Sequence, residues 1–453
     1  MSDQFFTPPR PDVSGPPPRG FALLRALRTN VLHLWPREAY EQDSLTQSFL
    51  GRPLVLLNAP DAIRRVLVEN DENYRRSRIR GRLLRPVAGE GLLVTEGQVW
   101  KHQRRTAAPA FTPRGMGNLA RHVAAAAQEG LGELAGAAEQ EVDLFGLVQG
   151  WAAEMSGRSM FSLEMRAHGA DMKAFAHHYV SRLAQPYPLD VLLPVGIPSP
   201  RDLLRRRFKR SWMRLVERMI ETRRQAPEED APRDLLDLMR AARDPESGEG
   251  FSRPQLRDQV ATMIVAGHET SSVAMFWSLY LLASDAHAQE RLAEEVRGVD
   301  LGPENAAETL RNLPYTRAVV NEALRLYPPA FMIVREAIGA DRCGDTDVPA
   351  GAMVMVSPWV VQRHRQIWER PDAFDPARFL PGAAAPNRFA YLPFSTGPRV
   401  CIGAQLAVTM TATVVASLVQ SFRVELADAA PVLPVCVATT RPDRNPRFRL
   451  RRR

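Results

Sequence analysis

The stretch Phe394-Ser395-Thr396-Gly397-Pro398-Arg399-Val400-Cys401-Ile402-Gly403 decides how the rest of the chain is interpreted. Its single cysteine follows a glycine by four residues and an arginine by two, and a second glycine stands two residues after it. Glycine lets a backbone approach a large flat ligand because it has no side chain to block the way. A helix predicted from Ala404 onward would direct its first amides at the sulfur and favour the thiolate. The pattern predicts a metal-bound thiolate, although a lone cysteine is more often a buried structural residue.

Two more side chains of this stretch suit a metal-bound thiolate. The guanidinium of Arg399 can pair with carboxylates in a bidentate way, and the ring of Phe394 can shield the sulfur from water. The full spacing closely resembles the haem-binding loop of the cytochrome P-450 family of haem-thiolate monooxygenases. The resemblance implies that Cys401 is the axial ligand of a haem b iron. Phe394, Arg399 and Gly403 would then lie against the cofactor.

Composition and cysteine usage limit the class of protein. The chain has 453 residues and a hydrophobic share of 45%, which is ordinary for a globular protein. It contains no run of about eighteen apolar residues, so no membrane span is predicted. The three cysteines (Cys343, Cys401 and Cys436) do not have the number or spacing of a disulfide framework, which favours a reducing, cytoplasmic location. A soluble, bacterial-type member of the family is the better match.

The formal net charge of +8 raises the question of nucleic-acid binding. Residues 441–453 contain seven arginines and one aspartate, so this tail carries most of the excess charge. A second basic stretch, residues 201–224, has apolar residues at helical spacing, which is typical of a helix with one solvated face. No nucleic-acid motif accompanies either stretch, and we expect no nucleic-acid partner.

Composition also divides the chain into three parts. Residues 1–20 hold six prolines and predict a poorly ordered leader. Residues 21–440 are interpreted as one haem-thiolate monooxygenase domain, and residues 441–453 as a basic, arginine-rich tail. The pattern of the domain is mainly α with a small β portion. The resemblance implies the cytochrome P-450 fold, with haem between a long central helix and the helix after the cysteine loop.

Local signals place the main elements within the domain. Ser252 and Gln255 have the spacing of a capping box, which predicts the start of a long central helix that runs to about Ser284. The other predicted elements are a strand at 53–57 with a helix through Val68, a helix from Pro314 that ends before Pro328, two short strands around a turn at 348–356, and a last helix at about 404–422.

The middle of the central helix reads Ala266-Gly267-His268-Glu269-Thr270. A glycine inside a helix costs about 1 kcal/mol relative to alanine, and such local costs are expected at functional sites. The segment resembles the oxygen-binding segment of the family. The resemblance implies that Thr270 hydrogen-bonds the oxygen substrate and that Glu269 connects it to proton-carrying water. The alternative is a helix–helix contact through small residues, with Thr270 bonded to its own backbone; His268 is interpreted as structural.

A second motif is architectural. Glu322 and Arg325 lie three residues apart and therefore share one helix face. With Arg378 further along the chain, they are similar to the family's glutamate–arginine pair and the third arginine that joins it. The resemblance implies a buried network that locks this helix to the segment carrying the cysteine loop.

A third motif concerns the carboxylates of the haem. Trp100 and Arg104 are four residues apart and share a helix face, similar to the family's W-x-x-x-R motif that binds a haem propionate. Arg399 and Arg335 would complete this clamp, with Arg335 assigned from its distance after the Pro328-Pro329 pair.

The family resemblance also implies a substrate pocket. Its lid would be the helix break around Tyr179–Tyr187, although a plain surface loop is equally compatible with this stretch. Its walls are apolar and of modest size, which suits a fatty acid, a terpenoid or a steroid-like compound. The pocket residues implied by the resemblance are Val87, Ala266, Ala330, Phe331 and Met332.

The implied activity is insertion of one oxygen atom of O2 into a hydrophobic substrate. No flavin, nicotinamide or iron–sulfur segment is recognised, so electrons would come ultimately from NAD(P)H through a ferredoxin or flavodoxin and its reductase. Lys101 and Arg105 are candidates for part of a basic docking face for that partner. A monomer is expected.

Three other haem functions remain open at this point. A peroxygenase is disfavoured because it would tend to lack the acid–alcohol pair of Glu269 and Thr270. A haem-thiolate isomerase or dehydratase would keep Cys401 without needing a reductant. A non-enzymatic haem sensor would need neither Thr270 nor a substrate chamber.

Overall fold

The computed structural model describes residues 5–13, 18, 20–49, 51–134, 136, 139–162, 179, 183, 189–190, 193, 197–225 and 234–453. Helices dominate this part of the chain, as the sequence predicts. They are α1 (Gly20–Thr29), α2 (Pro60–Arg64), α3 (Arg78–Ala88), α4 (Gly97–Ala107), α5 (Pro113–Leu134), α6 (Leu144–Phe161), α7 (Pro200–Gln225), α8 (Leu235–Ala241), α9 (Arg253–Ser284), α10 (Ala286–Val296), α11 (Ala306–Arg311), α12 (Pro314–Leu326), α13 (Pro358–Val361) and α14 (Ala404–Ser421).

The strands form small sheets at the edges of the helical body. Five of them pair in the order β1 (Ser44–Phe49), β2 (Arg52–Leu57), β8 (Met353–Val356), β5 (Ile333–Ala337) and β3 (Tyr74–Arg76), with β2 and β8 parallel. Three more pair in the order β4 (Glu141–Asp143), β12 (Arg447–Arg452) and β9 (Phe422–Leu426). Two hairpins join β6 (Asp341–Cys343) to β7 (Thr346–Val348) and β10 (Pro434–Cys436) to β11 (Thr440–Pro442).

Several predicted boundaries are confirmed. The hydroxyl of Ser252 accepts from the Gln255 amide and the Gln255 side chain accepts from the Ser252 amide, so the capping box starts α9 as expected. Helix α12 ends at Leu326, before the two prolines. The segment 348–356 was expected to hold two strands around a turn. It does contain strand residues, but β7 pairs with β6 while β8 joins the large sheet, so the two are not partners.

Helix α9 is the central element of the core. It packs against α6 and α14, and its residues Phe276 and Trp277 are fully buried. The ring of Trp277 stacks on Tyr327 with 3.8 Å between the ring centroids. Because Tyr327 follows the last residue of α12, this contact fixes the end of α12 against the central helix.

Helix α14 follows the cysteine loop and is itself a core element. Among the helices that the structure describes, it is the one with the length and apolar composition of a membrane span, and 67% of that window is buried in the protein. Burial against α5 and α9 accounts for its apolar sequence without a membrane.

The N-terminal leader differs from its prediction over residues 5–13. The amide of Phe374 donates to the carbonyl of Phe6 (2.8 Å), and Arg10 forms an ion pair with Asp372 (3.2 Å). The expected poorly ordered leader is therefore packed, over these residues, against the segment that precedes the cysteine loop.

The C-terminus differs from its prediction as well. Residues 441–453 were expected to form a basic tail outside the domain, but β12 is the middle strand of the three-stranded sheet. A segment can be rich in arginine and still form the middle strand of a sheet, since successive side chains of a strand point to opposite faces. Phe448 and Leu450 are fully buried, whereas Arg449 and Arg451 face solvent and pair with acidic residues of the neighbouring strands.

Substitution of the buried aromatic residue of β12 tests this assignment. We expect Phe448→Ala to lower the free energy of unfolding by about 3–5 kcal/mol, because it leaves a cavity in the core. Chemical denaturation of the purified protein measures the change. Arg449→Ala, one position further along the strand, is the matched control and should leave the denaturation midpoint unchanged. Equal midpoints for both variants would show that β12 is not part of the core.

Candidate active site

The cysteine loop has a tight backbone fold that requires glycine at one position. Gly397 has a φ of +74°, and a Cβ there would collide with the carbonyl oxygen of Leu67. The amide of Val400 donates to the carbonyl of Gly397 (3.0 Å), and the amide of Cys401 donates to the carbonyl of Phe394 (2.9 Å). These bonds close the loop directly before α14 and hold the cysteine at the entrance of that helix.

The three cysteines have different surroundings. Cys343 and Cys436 are buried, next to the hydroxyls of Tyr74 and Thr440 respectively. Cys401 is exposed to solvent, although the protein around it raises the pKa of its thiol. Of the three, Cys401 is the cysteine that an incoming ligand can reach.

The environment of Cys401 contains opposing electrostatic effects. Burial raises the pKa of the thiol, whereas the amide of Gly403 and the guanidinium of Arg104 act to lower it. A metal ion would add the charge that stabilises the thiolate. A Cβ added at Gly403 meets no protein atom within 4 Å. The protein itself therefore does not demand glycine at 403, which agrees with the predicted need for space beside the cysteine.

Trp100 and Arg399 form one wall of the site. The guanidinium carbon of Arg399 lies 4.2 Å from the centroid of the buried Trp100 ring, close enough for a cation–π contact. Arg399 also forms an ion pair with Glu96 and donates to the carbonyl of Thr95 (3.3 Å). The predicted pair of Trp100 and Arg399 is thus brought together by α4 and the cysteine loop.

Around this wall lies a cluster of cations, of which Arg335 is buried and the others are half-buried. Burial lowers the pKa of Arg335 to about 10, and the nearby positive charges of Arg80 and Arg399 lower it further. Burial likewise lowers the pKa of Arg76 and Arg80. Four guanidinium groups thus crowd together (Arg76, Arg80, Arg335 and Arg399), and Glu96 is the carboxylate in contact with two of them.

Arg76 and Arg80 were not identified from the sequence. The segment Arg75-Arg76-Ser77-Arg78-Ile79-Arg80 is strongly basic and was the available signal. The pairing of β3 with β5 brings this segment to Arg335, since Arg76 lies opposite Arg335 in the register. The contact was not predicted because about 260 residues separate the two arginines and no local pattern connects them.

The cluster has the chemistry that a haem requires. Buried cations of like sign repel one another and are stable only with compensating anions nearby. The two propionates of a haem would supply such anions, and arginine is well suited to bind them in a bidentate way. The residues present therefore fit a haem whose edge reaches the arginine cluster and whose iron is held by Cys401.

Arg104, the other predicted propionate ligand, is placed on the cysteine side of α4. Burial lowers the pKa of its guanidinium, and the charge of Cys401 acts in the opposite direction. Arg104 therefore contributes positive charge beside the sulfur.

The predicted glutamate–arginine network is present and fully buried at its centre. Arg325 donates to both carboxylate oxygens of Glu322 (Nε to Oε2 and Nη2 to Oε1, each 2.7 Å). Arg325 also donates to the carbonyls of Gln362 (2.8 Å), Pro371 (2.6 Å) and Ala373 (2.9 Å). The five N–H groups of this guanidinium therefore all donate to protein acceptors.

Arg378 is a weaker member of the network than the sequence suggested. Its Nε lies 3.6 Å from the Glu322 carboxylate, and its Nη2 donates to the carbonyl of Arg370 (3.0 Å). The amide of Asp375 instead provides the close third contact to Glu322 (2.9 Å).

Gln362 was missed by the sequence analysis and joins this network to the cysteine loop. Its side-chain amide donates to the carbonyls of Leu324 (3.1 Å) and Arg325 (2.8 Å). Its side-chain oxygen accepts from the amide of Leu392 (2.7 Å), two residues before Phe394. No residue pattern marks such a glutamine, because its partners are backbone groups.

The predicted oxygen-binding segment lies on α9, and its contacts agree both with a helix–helix contact and with a role in ligand binding. The Thr270 hydroxyl donates to the carbonyl of Ala266 (2.6 Å), and a Cβ at Gly267 would press against Met160 of α6 at 3.3 Å. These are the features of a helix–helix contact. A hydroxyl that donates still has acceptor capacity, so the Thr270 oxygen remains available to a ligand. His268 contacts the carbonyl of Gln149 (3.1 Å), on the α6 side.

The predicted pocket residues divide by exposure. Ala266 and Ala330 are exposed and Met332 is half-buried, so these three can contact a ligand. Val87 and Phe331 are buried within the core. Apart from Tyr179 and Leu183, the predicted lid at 179–187 lies outside the residues that the structure describes.

Fold and site together define a class of protein. A mainly helical body holds one exposed cysteine in a loop closed by glycine, and Arg399 of the same loop belongs to a cluster of guanidinium groups. This combination is that of a haem-thiolate protein.

Comparisons with known proteins give the family. A family model described as Cytochrome P450 matches residues 27–441, and the chain belongs to that family. Cyclooctatin synthase from Streptomyces melanosporofaciens is 30% identical over 428 residues, which cover 93% of this chain and 91% of that protein. Cyclooctat-9-en-7-ol 5-monooxygenase from the same organism is 30% identical over 434 residues, covering 92% and 90% respectively.

Solved structures agree on the architecture. The heme domain of a cytochrome P450DA mutant superposes with a TM-score of 0.78 at 25% identity, covering 91% of this chain and 90% of that chain. The retinoic acid-bound cyanobacterial CYP120A1 superposes with a TM-score of 0.77 at 24% identity, covering 91% and 92%, and shares the fold. The protein is thus an oxidoreductase, a haem-thiolate monooxygenase that catalyses hydroxylation.

Substitutions in the buried network test how it supports the site. We expect Arg325→Ala to lower the free energy of unfolding by about 3–5 kcal/mol, because it leaves the Glu322 carboxylate buried without its partner. The purified variant should also contain less haem, which the ratio of Soret to protein absorbance measures. Arg342→Ala removes an exposed ion pair with Asp345 and is the control. Normal haem content and stability in Arg325→Ala would contradict the role of the network.

Proposed function

We propose that this monooxygenase hydroxylates a hydrophobic small molecule with Cys401 as the haem ligand and Glu269 and Thr270 as the proton-handling pair. The observation that carries the proposal is the placement of Cys401. It is the one of the three cysteines that is exposed to solvent, and the arginine cluster could supply charge for the propionates of the same cofactor.

When bound, the haem supplies the reduction of O2 and the insertion of one oxygen atom into a C–H bond. The protein residues control what surrounds that chemistry. The Cys401 thiolate would bind the haem iron and supply electron density to it. Trp100, Arg104, Arg335 and Arg399 would hold the cofactor in one orientation.

Thr270 and Glu269 lie next to each other on α9 and serve proton transfer. Thr270 presents a hydroxyl that can both donate and accept a hydrogen bond. Glu269 presents a carboxylate that can take a proton from water and release it again. The exposed side chains of Ala266 and Ala330 offer an apolar surface that positions substrate and excludes water. Val87 and Phe331 support this surface from the core.

The substrate is proposed to be a mostly hydrocarbon molecule. Two relatives at 30% identity are named for cyclooctatin and cyclooctat-9-en-7-ol. The apolar residues at the predicted pocket agree with a compound of this kind. Cyclooctat-9-en-7-ol is therefore a reasonable first compound in a panel that also contains fatty acids and steroids.

Electrons are proposed to arrive from NAD(P)H through a separate ferredoxin or flavodoxin and its reductase. The structure does not favour Lys101 and Arg105 as the docking residues. Lys101 pairs with Glu72 (2.9 Å), and Arg105 pairs with Asp244 (2.9 Å) and Glu246 (3.1 Å). Both charges are thus compensated within the chain, which leaves little for a partner.

A cytoplasmic, monomeric enzyme is proposed, which agrees with three free cysteines. The homologues from Streptomyces support a bacterial type of enzyme.

The ligand assignment is tested by spectroscopy. We expect the reduced, CO-bound protein to show the red-shifted Soret band of a thiolate-ligated haem, because Cys401 is the reachable cysteine. Cys401→Ser should lose this band, and Cys436→Ser is the control because that cysteine is buried elsewhere. Persistence of the band in Cys401→Ser would exclude Cys401 as the ligand.

The proton-handling pair is tested by turnover with surrogate redox partners. We expect Thr270→Ala to divert electrons from product to hydrogen peroxide, because the hydroxyl that manages the proton is lost; the loss of coupling is expected to be about tenfold or more. Product and peroxide are measured per NAD(P)H consumed. Product formation without any reductant would instead indicate an isomerase or dehydratase, and product from peroxide alone a peroxygenase.

A further inference from the structure

Among the residues that the structure describes, the partners of the Glu269 carboxylate bind one of its two oxygens. Its Oε1 accepts a hydrogen bond from the Thr439 hydroxyl (2.8 Å) and forms a charged hydrogen bond with Nε of Arg441. Within the part of the chain that the structure describes, no protein group bonds to Oε2. The side chain of Glu269 is 15% exposed and that of Arg441 is 34% exposed, so the pair lies between the core and the solvent.

The two donors lie at the start of β11, which is bonded to the central helix through Thr440. Thr440, between them, is fully buried, and its hydroxyl donates to the carbonyl of Pro328 (2.6 Å). Its own carbonyl accepts from the indole of Trp277 (2.7 Å), two turns beyond Glu269 on α9. Because alternate side chains of an extended segment share a face, Thr439 and Arg441 both point toward Glu269.

This geometry gives the two carboxylate oxygens of Glu269 different roles. Oε1 is anchored by a neutral donor and a charged donor that come from one rigid segment. Oε2 keeps its acceptor capacity, since a carboxylate can accept about four hydrogen bonds and only two are made. An anchored carboxylate with one free oxygen is suited to proton transfer because the free oxygen stays in one place.

We propose that Arg441 and Thr439 are positioning residues for the proton transfer carried out by Glu269. They hold Oε1, so that Oε2 takes one proton from water and releases it toward Thr270, after which the carboxylate is again an anion. The guanidinium of Arg441 balances the carboxylate charge at the solvent-exposed edge. The inference rests on the proposed function of Glu269 and Thr270, and it extends the site to the C-terminal strand.

A purely structural ion pair would have a different consequence. It would tie the β10–β11 hairpin to α9 and affect stability, but it would leave proton transfer unchanged. The experiment must therefore measure proton transfer and the interaction between the two side chains separately.

Three variants of the holoenzyme address proton transfer. Arg441→Gln removes the charge, Arg441→Lys keeps it, and Thr439→Val removes the hydroxyl at nearly constant shape. We expect Arg441→Gln to raise the ratio of peroxide to product about tenfold, as removal of an outer partner of a functional group typically does, and to enlarge the solvent isotope effect on product formation. Thr439→Val should shift both quantities in the same direction, and Arg441→Lys should restore most of the coupling.

The matched control is Arg449→Gln on β12. Arg449 is an exposed arginine in an ion pair with Glu141 (3.4 Å), away from α9. Its substitution should leave the peroxide ratio, the isotope effect and the reduced-CO spectrum as in the parent protein.

A second measurement does not depend on turnover. Thermal unfolding of Glu269→Gln, Arg441→Gln and the double variant forms a double-mutant cycle. We expect the two shifts in Tm to be non-additive, with the double variant no less stable than Arg441→Gln, because the interaction is lost once. Additive shifts would show that the two side chains do not interact.

The outcomes separate failure of the inference from failure of the proposed function. If Thr270→Ala and Glu269→Gln uncouple turnover but Arg441→Gln and Thr439→Val do not, the positioning role is wrong and the proton-handling pair stands. If Thr270→Ala and Glu269→Gln leave coupling unchanged, the proposed pair is wrong and the inference falls with it. Non-additive Tm shifts with unchanged coupling and isotope effect would mean that the ion pair is structural.

Discussion

The buried pair of Glu322 and Arg325 is the constraint on which the rest of the site depends. Both side chains are fully removed from solvent, which is costly for charged groups unless every hydrogen bond is made. Arg325 meets that condition by donating to three carbonyls of the segment 362–373. The helix and this segment are therefore not free to separate, and Gln362 extends the same restraint to Leu392, at the edge of the cysteine loop.

The arginine cluster differs from the Glu322–Arg325 pair because its charges are not fully compensated by the described protein groups. Arg335 is buried and Arg76 and Arg80 are half-buried, and burial lowers the pKa of each. The network at Glu322 is complete within the protein, whereas the proposed role of the cluster is to bind an anionic ligand. Under that proposal, one set of charges serves the architecture and the other serves recognition. Binding of a dianionic cofactor would then offset the free energy cost of the clustered guanidinium groups in the folded chain.

The sequence predicted those features whose cause is local. The capping box at Ser252 and the end of α12 before two prolines both depend on residues within a few positions of one another. The resemblance to the family added the fold and pointed to the site residues. Features that depend on strand pairing were missed, since the approach of Arg76 to Arg335 follows from the β3–β5 register and has no local signature.

The error at the C-terminus has the same origin. A run of arginines was interpreted by its charge, but in a strand alternate positions separate charge from packing, and Phe448 and Leu450 face the core. The segment thus contributes exposed charge on one face and core packing on the other. Its strand pairing brings Arg441 back to the middle of α9, next to Glu269, although 172 residues separate them. The Glu269 carboxylate is consequently oriented by Thr439 and Arg441 near the C-terminus, so the proposed proton-handling pair depends on the pairing of those strands.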